Sequence, residues 1–438
     1  MMKIDLSIYK ERRTKLLAEL PENSVMIIAA ASLVSRNADA EFPFRQSSDF
    51  YYLTGFNEPD GLLLLKPGSD QPVVLFCQPR DPEMEIWTGY RAGPEGCLAT
   101  YGADAAYNLS EIDQQLPTLI DGVDQLLYPL ARDAALDSRV KEWIQAVAKR
   151  VRAGAQVPKA LSDSDPILHE MRLFKSDAEI AIMQRAADIS AQAHVKAMQQ
   201  CNVGMNEYQL EAIIQSHCMA EGARFQAYNP IVAAGKNACI LHYIENNQPI
   251  HESDLILIDA GCELDNYASD ITRTFPANGT FDKEQRAIYQ LVLDANKACI
   301  EAVKPGCNWD DLHQLSVTIL TEGLVKLGLL SGEVDQLIES GAYRRFYMHR
   351  VGHWLGMDVH DVGSYRVDGE WRELAPGIVT TIEPGIYIAP DDHTVEERWR
   401  GIGVRIEDDV LVTNNGALVL TAAVPKEIDE IEALMRRE

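Results

Sequence analysis

Four acidic residues stand where the hydrophobic pattern of this 438-residue chain predicts buried strand. In "DLILIDAG" the run Leu255 to Ile258 ends in Asp259, and Asp270 follows eleven residues later beside Ile271, Thr272 and Thr274. Glu383 ends "IVTTIE" ahead of Pro384 and Gly385, and Glu407 sits within "GVRIEDDVLV". Between these pairs lies "MHRVGHWLGMDVHD", with His349, His353 and His360, three of the ten histidines. An unpaired buried charge is too costly to persist, so the aspartates need an arginine, a shared proton or a metal. Taken singly, each residue has a plainer reading. Glu407 could pair with Arg405 two positions away on one strand face, Glu383 could be a solvated strand end, and a histidine is often structural. Four acids at apolar strands with a histidine motif between them are hard to explain together without metal.

These side chains need elements to hold them. "AGCELDNYAS", with its glycine and Asp-Asn pair, suits a turn, so an antiparallel hairpin would return Asp270 close to Asp259. Gly352 and Gly356 argue against a helix through the histidine motif, which sets it apart from a zinc-binding helix. Helices are expected over about 206–221, 284–303 and 309–327, alternating with the strand-like segments that carry the acids. Strands, helices and strands again suggest an α+β domain with a mainly antiparallel sheet. Ser176 and Glu179 form a capping box ahead of a long periodic helix, so this domain spans 171–438.

Residues 1–170 read as α/β. "SVMIIAAAS", "GLLLLKPG" and "PVVLFC" are short apolar runs bounded by turn residues, hence strands. "LSEIDQQLPTLI" and "DSRVKEWIQAVAKRV" are amphipathic helices, and "RAGAQVPKALSDSDP" (152–166) reads as a linker.

Composition bounds the partners. The net charge of −26 argues against nucleic acid or an anionic membrane surface. No apolar run approaches the roughly 20 residues of a membrane span, and the first residues show no signal-peptide pattern. Eight cysteines without a CxxC pair read as free thiols in a reducing cytoplasm.

In order, "IDAGCE", "SDITRTF", "GHWLGMDVHD", "TIEPGIYI" and "GVRIEDD" resemble the motifs of the pita-bread metallopeptidases, most closely the bacterial Xaa-Pro aminopeptidase (aminopeptidase P) family. The resemblance runs nearly end to end, from "RNADAEFPFRQSSDFYYLTGFNEPD" onward. It implies a creatinase-type N-terminal domain followed by a pita-bread catalytic domain with the site in a curved sheet. It also implies two divalent metal ions, with Asp259 on one, His353 and Glu383 on the other, and Asp270 and Glu407 bridging. Four carboxylates and one imidazole suit manganese, with no thiolate to favour structural zinc.

The implied reaction is hydrolysis of the X–Pro bond by a metal-activated water, with Glu383 shuttling the proton and His353 a ligand beside it. His242 or His360 would hold the tetrahedral intermediate. An X–Pro bond has no N–H to recognise, and the resemblance assigns the proline pocket to His242, His349 and His360. Tyr387 and Arg405 would complete the site. The family's dimer of dimers would bring Asp39 and Trp87 of the first domain to a neighbouring site. Arg350 differs from the family's usual residues between the two histidines; it replaces no ligand and would alter the pocket rim. A prolidase, cleaving only X–Pro dipeptides, is the alternative. A methionine aminopeptidase would normally lack so large a first domain. Metal-free binding proteins and creatinase-type enzymes on this fold do not keep the ligand set.

Overall fold

Ser24–Ala29, Leu62–Leu65 and Val73–Cys77 form the strands that their apolar runs predict, in a computed structural model that describes residues 4–436. They lie at the centre of a six-stranded mixed sheet, in spatial order Ala105–Asn108, Val73–Cys77, Leu62–Leu65, Ser24–Ala29, Gln125–Tyr128 and Ala160–Asp163. All four leucines of Leu62–Leu65 are buried, as in a strand covered on both faces. Helices Ile112–Leu119 and Ala134–Ala148 bring Leu116, Val140 and Trp143 into one core with Val25, Leu64 and Phe76. This α/β unit spans Ile4–Arg172.

One expectation for this unit fails. The stretch 152–166 is not a linker: Ala160–Asp163 is a parallel strand on the edge of the sheet, paired with Gln125–Tyr128. An edge strand is covered on one side only, so it needs no apolar run and carries little periodic signal.

The second unit begins at Leu173. Its first long helix, Asp177–Gln200, starts at the Ser176/Glu179 capping box, where the Ser176 N–H donates to Glu179 Oε2 at 2.9 Å. Helices Glu207–Ala220, Lys283–Ala302 and Trp309–Lys326 match the periodic segments. Every strand pair in this unit is antiparallel. The strand Leu255–Asp259 lies between Ile231–Ala234 and Thr272–Pro276. Asp259 stands opposite Thr272 in the register. The chain between them reverses at Asp265 and Asn266, whose φ values of 48° and 64° are tolerated by these two residue types. The hairpin therefore returns Asp270 to Asp259.

A second junction brings the histidine motif to Glu383. The backbone of residues 351–353 runs along strand Val379–Ile382 and the residue after it. Thr381 N–H donates to the His353 carbonyl at 2.9 Å, and Glu383 N–H to the Val351 carbonyl at 2.7 Å. Gly352 makes this approach possible, since a Cβ there would fall 2.0 Å from the Thr381 carbonyl oxygen. That close contact is the use of a glycine that the sequence marked only as a helix breaker.

Candidate metal centre

Asp259 closes its strand with a half-buried carboxylate held from two sides. Tyr228 Oη donates to Oδ1 at 2.6 Å, and Arg405 Nη2 donates to Oδ2 at 2.6 Å. The same Tyr228 hydroxyl contacts Asp270 Oδ1, so one residue ties both aspartates together. Asp270 Oδ2 lies 3.5 Å from His353 Nε2, and Glu383 Oε1 lies 3.4 Å from the same nitrogen. His353 Nδ1 sits 3.1 Å from the Trp354 carbonyl, a contact that turns Nε2 towards the acids. Glu407, 1% exposed, accepts from Thr272 Oγ1 at 2.6 Å. Ligand atoms of Asp270, His353 and Glu407 all lie within 4.8 Å of one another.

The electrostatics of this cluster ask for a cation. Burial, with Asp270, Glu383 and Asp259 nearby, pushes the Glu407 carboxyl well above its ordinary range. Burial likewise pushes Glu383 up to about 7, against the pull of His353 and Arg405. Burial alone would lower His353, yet Asp270 and Glu383 outweigh it and raise its pKa to about 9. Four carboxylates thus share one guanidinium and one imidazole. An all-oxygen-and-imidazole donor set with surplus negative charge fits hard divalent metal. A second acid cluster, Asp49, Asp165 and His169, does not: Arg172 Nη1 pairs with Asp49 at 2.7 Å and Arg132 pairs with Asp165.

The centre opens into a cavity of about 380 Å³ lined by all five sequence-predicted ligands together with His242, His349, His360 and Arg405. His360 meets His353 edge to face, with ring centroids 4.4 Å apart. His349 Nε2 lies 2.9 Å from Tyr387 Oη, and burial followed by the Arg405 charge lowers the His349 pKa to about 3. A neutral ring suits contact with an apolar proline. Arg405 Nη1 donates to Tyr387 Oη at 3.0 Å and Nε to Thr272 Oγ1 at 3.1 Å. The plainer reading of Glu407 as the ion-pair partner of Arg405 is not what forms; Arg405 pairs with Asp259. Asp39 is exposed on the first unit, as is Trp87, at 82%.

Sequence reasoning missed three residues here. Tyr228, in "AYNP", carries no signal that distinguishes it from the other fifteen tyrosines. Glu207, 0% exposed, organises the segment bearing His242. Its Oε1 accepts from Ala234 N–H at 2.8 Å and Asn237 Nδ2 at 2.9 Å. Its Oε2 accepts from Tyr243 Oη at 2.7 Å and Gln248 N–H at 2.9 Å. Lys175 pairs with Asp361 at 3.0 Å, each side chain 1% exposed, and so anchors the loop after His360.

Comparison with known proteins identifies the family. Residues 181–414 match metallopeptidase family M24, and residues 9–128 match the aminopeptidase P N-terminal domain. The chain belongs to metallopeptidase family M24, with the two-domain arrangement expected from its motifs. It is 46% identical over 437 residues to the Xaa-Pro aminopeptidase of Escherichia coli, covering 99% of each chain. To that of Haemophilus influenzae it is 47% identical, covering 99% of this chain and 98% of the relative. Its structure superposes on aminopeptidase PepP of Pseudomonas aeruginosa with a TM-score of 0.98 at 54% identity, covering 99% of each. A zinc-substituted E. coli aminopeptidase P in complex with product gives 0.97 at 46% identity, covering 100% of each.

Proposed function

We propose that this chain is a metal-dependent Xaa-Pro aminopeptidase, releasing the first residue of peptides whose second residue is proline. The observation that carries the reading is the convergence of Asp259, Asp270, His353, Glu383 and Glu407 in one cavity with three histidines on its wall. Asp259, Asp270, His353, Glu383 and Glu407 would hold two divalent ions, which we assign as manganese from the oxygen-rich donor set. When bound, such ions supply Lewis-acid polarisation of the carbonyl and a water of lowered pKa.

The protein's own groups do the rest. Glu383, 3.4 Å from His353 Nε2, accepts a proton from the attacking water and delivers it to the proline nitrogen as the bond breaks. His353 keeps its Nε2 towards the acids through the Trp354 carbonyl. Tyr228 and Arg405 hold Asp259 and limit its rotation, and the chain from Arg405 through Tyr387 to His349 makes one wall rigid. His242, His349 and His360 enclose the proline ring, and His242 or His360 donates to the developing oxyanion.

Peptides of three or more residues are the expected substrates, which separates this reading from a prolidase; whole-chain likeness to Xaa-Pro aminopeptidases supports it. Ala-Pro-Ala and Ala-Pro, offered to chelated protein before and after manganese is added, test the choice. Alanine release from the tripeptide, restored by metal, is expected, and turnover of the dipeptide alone would overturn it.

The reading extends to assembly and compartment. The exposed Trp87, together with Ile86 at 81% and Tyr90 at 90% exposure, supports a homo-oligomer, a dimer of dimers in which Trp87 and Asp39 reach a neighbouring site. Eight cysteines with no disulfide among them support a cytoplasmic setting, and no helix among the described residues is long and apolar enough to cross a membrane.

A further inference from the structure

Arg350 is the motif residue that the proposed reaction leaves without a task. It lines the same cavity as the candidate ligands. Its Nη2 donates to Asp310 Oδ1 at 2.6 Å, and its guanidinium lies 4.7 Å from the centre of the Trp371 ring. Asp310 stands in the first turn of helix Trp309–Lys326. These two contacts fix the group in place while 42% of the side chain stays exposed. A guanidinium carries five N–H donors, and Nε and Nη1 meet no acceptor among the described residues.

Arg405, the other arginine lining the cavity, is in the opposite condition. Its Nε, Nη1 and Nη2 are engaged by Thr272, Tyr387 and Asp259, and its side chain is 4% exposed. Of the two arginines that line the cavity, only Arg350 has donors to spare. A short peptide brings one ammonium and one carboxylate. The carboxylate enters a protein of net charge −26, so a specific cation favours holding it there.

We propose that Arg350 is a specificity-determining residue that binds the terminal carboxylate of short peptides past the proline. The proposal rests on the Xaa-Pro aminopeptidase reading and adds a length preference to it. In an extended chain each residue spans about 3.5 Å, so the carboxylate of an X-Pro-Y tripeptide lies roughly 7 Å beyond the scissile bond. Asp310 and Trp371 pre-organise the fork, which lowers the cost of the contact, and a charge-assisted pair to carboxylate is the strong form of such a hydrogen bond.

The test compares Ala-Pro-Ala with its C-terminal amide on the full chain supplied with manganese. In the wild type, amidation should raise KM about tenfold with a much smaller effect on kcat, as for a contact equally strong in ground and transition states. Arg350→Met should erase the difference between acid and amide, and Arg350→Lys should keep part of it, since lysine retains charge but not the fork. Both peptides are read on one protein sample, so partial unfolding lowers both rates and leaves their ratio intact. If Arg350→Met does not turn over, calorimetric titration with the dipeptide Pro-Ala and its amide reads the same ratio from binding. Equal KM for acid and amide in the wild type, or an undiminished acid preference in Arg350→Met, would overturn the proposal. Failure of the wild type to hydrolyse either peptide would instead overturn the aminopeptidase reading.

Discussion

His353 Nε2 and Glu383 Oε1 stand 3.4 Å apart because the backbone of one segment is hydrogen-bonded to the other, through Thr381 to His353 and Glu383 to Val351. The pair is thus positioned by main chain rather than by flexible side chains, which is what precise catalytic geometry requires.

Replacing members of this set should test metal binding and proton transfer together. Glu383→Ala should lower kcat by about 10³-fold, within the range for loss of an acid–base group. Asp270→Asn and Glu407→Gln should lower metal content after dialysis as well as turnover. Elemental analysis and steady-state rates on the same samples check this. Full metal and normal rates in all three variants would exclude the dinuclear reading.

Glu207→Gln should disturb the cavity from outside. A glutamine presents an N–H₂ where Glu207 now accepts four hydrogen bonds, leaving at least one buried donor unpaired, at a cost of about 1–3 kcal/mol. The segment bearing His242 should shift, and kcat/KM should fall about tenfold or more while metal content holds. A rate unchanged in Glu207→Gln would show that this carboxylate does not position His242.

Asp49, in the first unit, gives a pH-dependent stability. Burial alone would raise its pKa, but His169 and Arg172 outweigh burial and hold it well below the usual carboxylate range. A group depressed on folding stabilises the folded state above its unfolded value of about 3.9, and that contribution is lost as pH falls towards the folded value. Asp49→Asn should therefore cost several kcal/mol near pH 7, about the 3–5 kcal/mol of a broken buried pair. Arg172, with its side chain 2% exposed, is then left without the carboxylate charge. The difference in urea midpoint between wild type and variant should shrink as pH falls below about 4. A gap that stays constant from pH 7 to pH 3 would contradict this assignment.

Trp87→Ala should lower activity on peptides of four or more residues without loss of metal, and Asp39→Ala should act in the same direction. Light scattering at the assay concentration reports the assembly directly. A fully active monomer there would defeat the oligomeric reading.

Much of the centre was legible because its candidate ligands recur together, acids at apolar strands with a histidine motif between them, although each alone has a plainer reading. Asp259 and Glu383 break apolar runs, and the Asp-Asn turn between Asp259 and Asp270 dictates a hairpin whatever surrounds it. The edge strand Ala160–Asp163 was not legible, since its stability comes from one neighbour's backbone and not from its own side chains.

Arg405 shows where local reading stops. Period-two alternation would set it beside Glu407 on one strand face, but the strands Gly403–Arg405 and Asp408–Thr413 are separate. The chain leaves one pairing and enters another at residues 406 and 407, so the alternation does not carry through. Arg405 instead reaches Asp259, 146 positions away in sequence.

From sequence alone came the residue types of the centre, their order, the hairpin and the long helices, because each depends on interactions within a few residues. Tertiary structure alone decided which donor meets which acid: Tyr228 on both aspartates, Arg405 on Asp259, Glu207 beneath the His242 segment, and half of Arg350 left open. Those pairings join residues tens to hundreds of positions apart, and a hydrogen bond is selected by distance and direction in space, which no linear spacing records.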